Sequence, residues 1–183
     1  TVNPVVMLVV NLRAVSNEFT SVSGASHSPD NNFLAYGIDH VSRRQYTLQF
    51  RDMNSGELLP DNILNTTGQT VWAADSKTVF YISKDPETLR AATVMMHVLG
   101  TPSSEDKVVY NEDDETFSVY LGKTKSKKYI TIVSDQTLTT EVRLIEAENP
   151  AGTVKVFEPR RVDHLYSVEH LNGTFYIQTN ADG

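Results

Sequence analysis

The chain has 183 residues, 39% hydrophobic and 21% charged, with a formal net charge of -7. That balance excludes disordered and collagen-like chains, and the excess of carboxylates argues against a broad nucleic-acid surface, which needs clustered Lys and Arg. The absence of cysteine removes disulfides, thiolate nucleophiles and thiolate metal sites, and it fits a cytoplasmic setting while leaving a periplasmic one open.

The longest apolar run, residues 5–10, is six residues long. It is far too short to cross a bilayer, so no membrane partner is expected and the run reads as a strand. Beyond it, four apolar, β-branched or aromatic runs each close on Asp or Asn, at Asp39, Asp85, Asp135 and Asn180, separated by 46, 50 and 45 positions. A period of about 40 to 50 residues is that of a four-stranded propeller blade or of a helical solenoid, and the filling of the repeat decides between them.

The filling is strand and turn. Each run is preceded by a polar turn, Ser28-Pro29-Asp30-Asn31-Asn32, Asp75-Ser76-Lys77-Thr78, residues 123–128 and Leu171-Asn172-Gly173, built from residues that fix or relax φ or bond their own backbone. Short inner strands are predicted ahead of these turns at 19–22, 70–73, 117–121 and 166–168. Outer strands are predicted after the closing residues at 46–52, 93–99 and 141–146. Tyr46, Leu48 and Phe50 alternate with Thr47, Gln49 and Arg51, the period of a half-buried strand.

The fold is therefore expected to be all-β, a partial propeller of four-stranded antiparallel blades. Residues 5–10 give the last strand of a preceding blade, 18–63, 68–113 and 115–160 give three blades, and 164–183 give the first two strands of a further one. Such an arc cannot close on itself, so the sequence is expected to be part of a longer protein, with open blade edges through which the fragment self-associates.

Chemistry-bearing residues are sparse. Gly24-Ala25-Ser26-His27-Ser28 lacks the second glycine of a nucleophile elbow, and neighbouring residues on a strand point to opposite faces, so an ordinary turn is expected there. His27, His40, His97, His164 and His170 show no metal-ligand spacing, and no cofactor is expected. Glu112-Asp113-Asp114-Glu115 reads as a solvated connection, and the basic run 123–128 as a solubilising hairpin turn. Arg43, Arg44, Arg160, Arg161 and Asp163 stand in connections, where Arg can pair bidentately with carboxylates, and they are candidates for interblade or interdomain contact. Trp72, the sole tryptophan, is expected to pack between blades.

Several stretches resemble one family: Ser28-Pro29-Asp30-Asn31, Ser42-Arg43-Arg44-Gln45-Tyr46, Phe50-Arg51-Asp52, Pro159-Arg160-Arg161-Val162-Asp163-His164-Leu165-Tyr166-Ser167, and above all Gly100-Thr101-Pro102-Ser103-Ser104-Glu105-Asp106-Lys107-Val108-Val109-Tyr110. They are similar to the propeller of oligopeptidase B-like enzymes, a bacterial branch of the prolyl oligopeptidase family of serine peptidases. The resemblance implies a seven-bladed ring that gates substrate by size, and a C-terminal α/β-hydrolase domain of the same parent chain bearing a Ser, Asp and His triad. It also implies short basic peptides cleaved after Lys or Arg. No position here matches a catalytic motif, so this portion is expected to be inactive alone. The repeat by itself fits a stand-alone protein- or ligand-binding propeller equally well.

Overall fold

The computed structural model describes Leu8 and residues 17–181. The expected strand at residues 5–10 lies outside the described residues except for Leu8, which packs against Leu34, Tyr36 and Ile38.

Thirteen strands are described, all paired antiparallel: β1 (Ser21–His27), β2 (Phe33–Asp39), β3 (Tyr46–Asp52), β4 (Leu58–Trp72), β5 (Thr78–Lys84), β6 (Ala91–Val98), β7 (Lys107–Asn111), β8 (Ser118–Lys123), β9 (Tyr129–Gln136), β10 (Thr139–Glu146), β11 (Lys155–Val156), β12 (Tyr166–Leu171) and β13 (Thr174–Thr179). A 3-10 turn, Ser103–Glu105, interrupts the connection from β6 to β7. Strands β1 to β7 form one continuous sheet, β8 to β11 a second, and β12 and β13 a hairpin. The chain is all-β and built as propeller blades.

The seven-stranded sheet departs from the sequence expectation, which separates an outer strand before residue 63 from an inner strand at 70–73. Instead β4 runs unbroken for 15 residues. Its first half pairs with β3, as Leu48 opposite Ile63, and its second half pairs with β5, as Val71 opposite Phe80. Thr66 is the hand-over point, facing both Tyr46 and Ser83. Its buried hydroxyl donates to the Tyr46 carbonyl at 2.9 Å and accepts from the Gly68 amide at 3.0 Å. Positive φ at Asn65 and Gly68 supplies the bend that lets one strand serve two blades.

A second difference is at residues 24–27, expected as a turn but found inside β1 with a bulge between Ser23 and Ser26. Gly24 has a φ of 64° there, and a β-carbon on it would run into the Gly68 carbonyl. The bulge therefore exists because the bent part of β4 crosses directly over β1.

The core lies between blades. In β5, Thr78 to Ile82 are all buried, because the strand is covered on both faces. Val79 and Tyr81 join Leu48, Phe50, Ile63 and Trp72 on one side. Phe80 and Ile82 join Val94, Met96, Val119, Ile130, Ile132 and Ile145 on the other. By contrast, every residue of β13 is exposed, Tyr176 and Ile177 included.

Two glycines in the left-handed region separate backbone strain from crowding. A β-carbon at Gly100 meets nothing within 4 Å, whereas one at Gly68 meets the Tyr46 side chain at 2.8 to 3.1 Å. Gly100→Ala is expected to cost about 1 kcal/mol from φ alone, and Gly68→Ala about 2 to 4 kcal/mol from φ and overlap together. Urea unfolding of the two variants checks the order; equal costs would contradict the close crossing.

Candidate functional site

The seam between the first two blades carries a buried hydrogen-bonded network that the sequence analysis misses. Asp61 comes from the first half of β4, His97 from β6, Asp106 from the connection to β7 and Tyr81 from β5. His97 is hydrogen-bonded through Nε2 to Asp61 Oδ1 at 3.0 Å and through Nδ1 to Asp106 Oδ1 at 2.6 Å. Tyr81 donates to Asp106 Oδ2 at 2.8 Å, and the Gly100 amide donates to Asp61 Oδ1 at 2.6 Å. Burial, reinforced by the adjacent Asp106 carboxylate, pushes the Tyr81 hydroxyl up, so it stays a donor. The His97 ring stacks on Phe50 of the neighbouring blade, centroids 5.7 Å apart. A histidine inside a largely apolar strand, Ala91–Val98, is the trace of this network in the sequence.

A second seam joins the next pair of blades. Arg160, one of the sequence candidates, sits between Glu112 at the end of β7 and Glu141 of β10, at 2.6 and 3.4 Å. Its guanidinium lies 3.7 Å over the Phe117 ring. Tyr110 donates to Glu112 Oε2 at 2.6 Å, and Arg143 covers the Tyr110 ring at 3.9 Å. Glu112 is thus buried, 3% exposed, rather than part of a solvated run; Asp113, Asp114 and Glu115 are exposed. Burial alone would push the Glu112 carboxyl up, but hydrogen bonds from Arg160, Tyr110, Ser134 and the Asp114 amide outweigh it and hold it at about 2.

The remaining sequence candidates do not join these networks. Arg43 and Arg44 lie in an exposed turn whose amides, those of Val41, Ser42 and Arg44, donate to the Asp39 carboxylate. The Arg44 carbonyl accepts from Lys84 Nζ at 2.9 Å. Arg161 forms an exposed, loose pair with Glu158 at 3.8 Å and lies 3.3 Å from the His164 ring nitrogens. Asp163 is exposed with φ 59°, and its carbonyl accepts from Asn180 Nδ2 at 3.1 Å.

The inner edge, where β1, the second half of β4 and β8 lie side by side, holds a cavity of about 450 Å³. Trp72, Val71, Ala74 and Pro29 form its apolar wall, and Lys123, Lys125 and Lys127 its basic side. Trp72 packs between blades as expected, edge-on to Phe50 at 6.2 Å, with Nε1 donating to Ser26 Oγ at 3.1 Å. Lys123 is half-buried and donates to the Trp72 carbonyl at 2.7 Å, so the basic run is more than a solvated turn.

Nothing among the described residues assembles a nucleophile. Ser26 bonds Thr70 and Trp72 while His27 bonds the Ser28 carbonyl, so the two point apart. Ser126 does meet His170 Nδ1 at 2.7 Å, but that ring is wedged against Tyr129 and Phe175. Among the described residues no carboxylate bonds its other nitrogen, so the orienting acid of a triad is absent there. No group of three or more metal-ligating side chains is placed to hold an ion among the described residues. No helix among them is long and apolar enough to cross a membrane.

Two outcomes follow from the seams. His97→Ala strands two buried carboxylates and is expected to cost about 3 to 5 kcal/mol in urea unfolding; a cost under about 1 kcal/mol would show that the network is not intact. Because the Glu112 carboxyl is lowered on folding, its stabilisation is full above the ordinary glutamate range and is lost as pH falls from about 4.5 towards about 2. Glu112→Gln or Arg160→Ala is expected to flatten the stability profile in that window; a profile as steep as that of the unsubstituted protein contradicts the pairing.

Residues 2–183 match the family of prolyl oligopeptidase N-terminal beta-propeller domains. The chain is similar to dipeptidyl aminopeptidase BI of Pseudoxanthomonas mexicana, 42% identical over 178 residues, covering 97% of this chain and 24% of that protein. It is similar also to Protease 2 of Moraxella lacunata, 30% identical over 177 residues, covering 96% of this chain and 26% of that protein. Of solved structures, oligopeptidase B from Leishmania major superposes with a TM-score of 0.90 at 30% identity, over 97% of this chain and 25% of the other. Oligopeptidase B from Trypanosoma brucei, in a closed form with covalently bound antipain, superposes with a TM-score of 0.86 at 28% identity, over 97% of this chain and 25% of the other. The chain spans about a quarter of the length of these relatives. With its sheet order, its interblade core and this match along nearly its whole length, the chain belongs to the prolyl oligopeptidase N-terminal beta-propeller family.

Proposed function

We propose that the chain is the non-catalytic, substrate-gating portion of a serine peptidase that hydrolyses short peptides after Lys or Arg, acting in the cytoplasm. The observation that carries this reading is the family match over residues 2–183, joined to a relative of 30% identity named a protease and to structural neighbours named oligopeptidase B. Hydrolysis would belong to a C-terminal α/β-hydrolase domain of the same parent chain, by acyl transfer through a serine with a histidine base. The role of this chain is physical. Blades bound to one another by buried cores and ionic seams make a stiff wall, and a stiff wall around a narrow entrance passes an extended short peptide while excluding a folded protein. The net charge of -7 favours approach of cationic peptides.

One observation favours a second reading. The 42% identical relative is named a dipeptidyl aminopeptidase, which points to release of dipeptides from a free N-terminus rather than internal cleavage.

The parent protein and two peptides separate these readings. An N-terminally blocked Arg-Arg peptide is expected to be cleaved, and a fluorophosphonate is expected to label a serine outside residues 1–183. Cleavage only of the unblocked peptide, two residues at a time, assigns the aminopeptidase. With neither cleavage nor labelling, the peptidase reading falls and a stand-alone binding propeller takes its place.

A further inference from the structure

We propose that the lysine-lined cavity on the inner edge is a carboxylate subsite that holds the free C-terminal carboxylate of a short peptide. This deepens the peptidase reading and rests on it, since only a propeller that admits peptides has a use for such a site.

The argument begins with placement. The cavity opens where β1, the second half of β4 and β8 converge, so three successive blades contribute to one concave surface: Ser26 from the first, Thr70 and Trp72 from the second, Lys123 from the third. Lys125 and Lys127 reach the same surface from the turn that follows β8. Lys123 is half-buried beside the indole, while Lys125 and Lys127, though exposed, line the same cavity instead of pointing away from it.

The charge there is compensated only in part. Among the described residues none of the three ammonium groups forms an ion pair with a carboxylate. Two acids act on them from nearby, Asp75 on Lys123 and Glu169 on Lys125, and the oxygens of both are engaged: Asp75 accepts from the Lys77 amide and from the amide and hydroxyl of Thr78, and Glu169 Oε1 from the Lys125 and His170 amides. Lys123 is lowered first by burial and then by repulsion from Lys127, with Asp75 opposing both. Neighbouring cations repel one another, and an anion between them relieves the repulsion and accepts from N–H groups beyond the one that Lys123 gives to the Trp72 carbonyl.

The chemical class follows from the walls. A multiply charged phosphate would suit an all-polar cradle, but Trp72, Val71 and Pro29 provide a flat apolar face beside the lysines. A peptide's C-terminus has both features, a carboxylate for the ammonium groups and a last side chain for the indole. Every short peptide carries one, so the site reads chain end rather than sequence, and an internal stretch of a protein has none to offer.

The test uses the full-length parent, inactivated with a fluorophosphonate, and titration calorimetry with N-acetyl-tetraalanine, its C-terminal amide, and an amidated peptide ending in Glu. The acid is expected to bind about five-fold more tightly than its amide, and Lys125→Gln/Lys127→Gln, exposed positions with no packing role, is expected to bring the ratio near one. Lys123→Gln, which also loses the bond to the Trp72 carbonyl, is read only if its melting curve matches the unsubstituted protein. A Glu amide as tight as the acid keeps the carboxylate site but moves its ligand to acidic side chains, which overturns the chain-end assignment. Equal binding of acid and amide in the unsubstituted protein, or a preference that survives the double substitution, overturns the proposal. Cleavage of the Arg-Arg peptide by active enzyme is scored apart, so loss of the subsite and loss of the peptidase reading give different results.

Discussion

A propeller blade has two apolar faces and cannot cover either by itself, and the rest of this structure follows from that constraint. In β5 consecutive side chains are buried because alternate ones serve different neighbours, Val79 and Tyr81 the blade before, Phe80 and Ile82 the blade after. Burying each such side chain gains roughly 1.5 to 3 kcal/mol, but only while the neighbour is in place. Stability is then a property of seams, much as in a linear repeat array, where each unit holds those beside it. The continuous β4 makes this covalent as well as packed, since a strand shared by two blades cannot leave one without disturbing the other.

The seams are not purely hydrophobic, and the polar groups in them have a role that apolar packing cannot fill. Leu, Ile and Phe faces are tolerant of sliding, whereas His97 reaches both Asp61 and Asp106 at one register only. A buried ionic group of this kind is a weak source of net stability and a strong source of penalty when misaligned. Arg160 acts in the same way at the next seam, with Phe117 beneath it and two carboxylates at its edge. Fixing the angle between blades fixes the curvature of the wall they build, which is how these networks would bear on the proposed gating.

How much of this was legible depends on the range of the interaction. The repeat, the turns and the alternating strands follow from local chemistry, such as Asn172 and Gly173 taking positive φ between β12 and β13, and they can be read from neighbours in sequence. The family was legible too, through the stretch from Gly100 to Tyr110. The union of two strands in β4 and the bulge at Gly24 were not, because each depends on backbone distant in sequence, Gly68 lying over Gly24. Charged residues misled for the same reason. Glu112 stands in an acidic run and Lys123 in a basic one, and composition assigns both to solvent, yet the first is buried by Arg160 from another blade and the second is tied to the Trp72 carbonyl.

The distribution of charge gives the inner edge a character that net charge conceals. An excess of seven negative charges acts collectively and at a distance, though ionic strength confines it to about 8 Å under physiological conditions. The lining of the inner cavity has the opposite sign, with Lys123, Lys125 and Lys127 and no carboxylate among its residues, while Asp75 and Glu169 act on those lysines from outside it. A short peptide with a basic side chain and a free carboxylate is itself a dipole. On the proposed function, its cationic end would be drawn by the acidic body and its anionic end by the lysines, so the two fields would orient it as well as attract it. Orientation of this kind needs the lysines to stay close together against their own repulsion, and it is the seam packing around Trp72, Phe50 and Ser26 that holds the wall on which they stand.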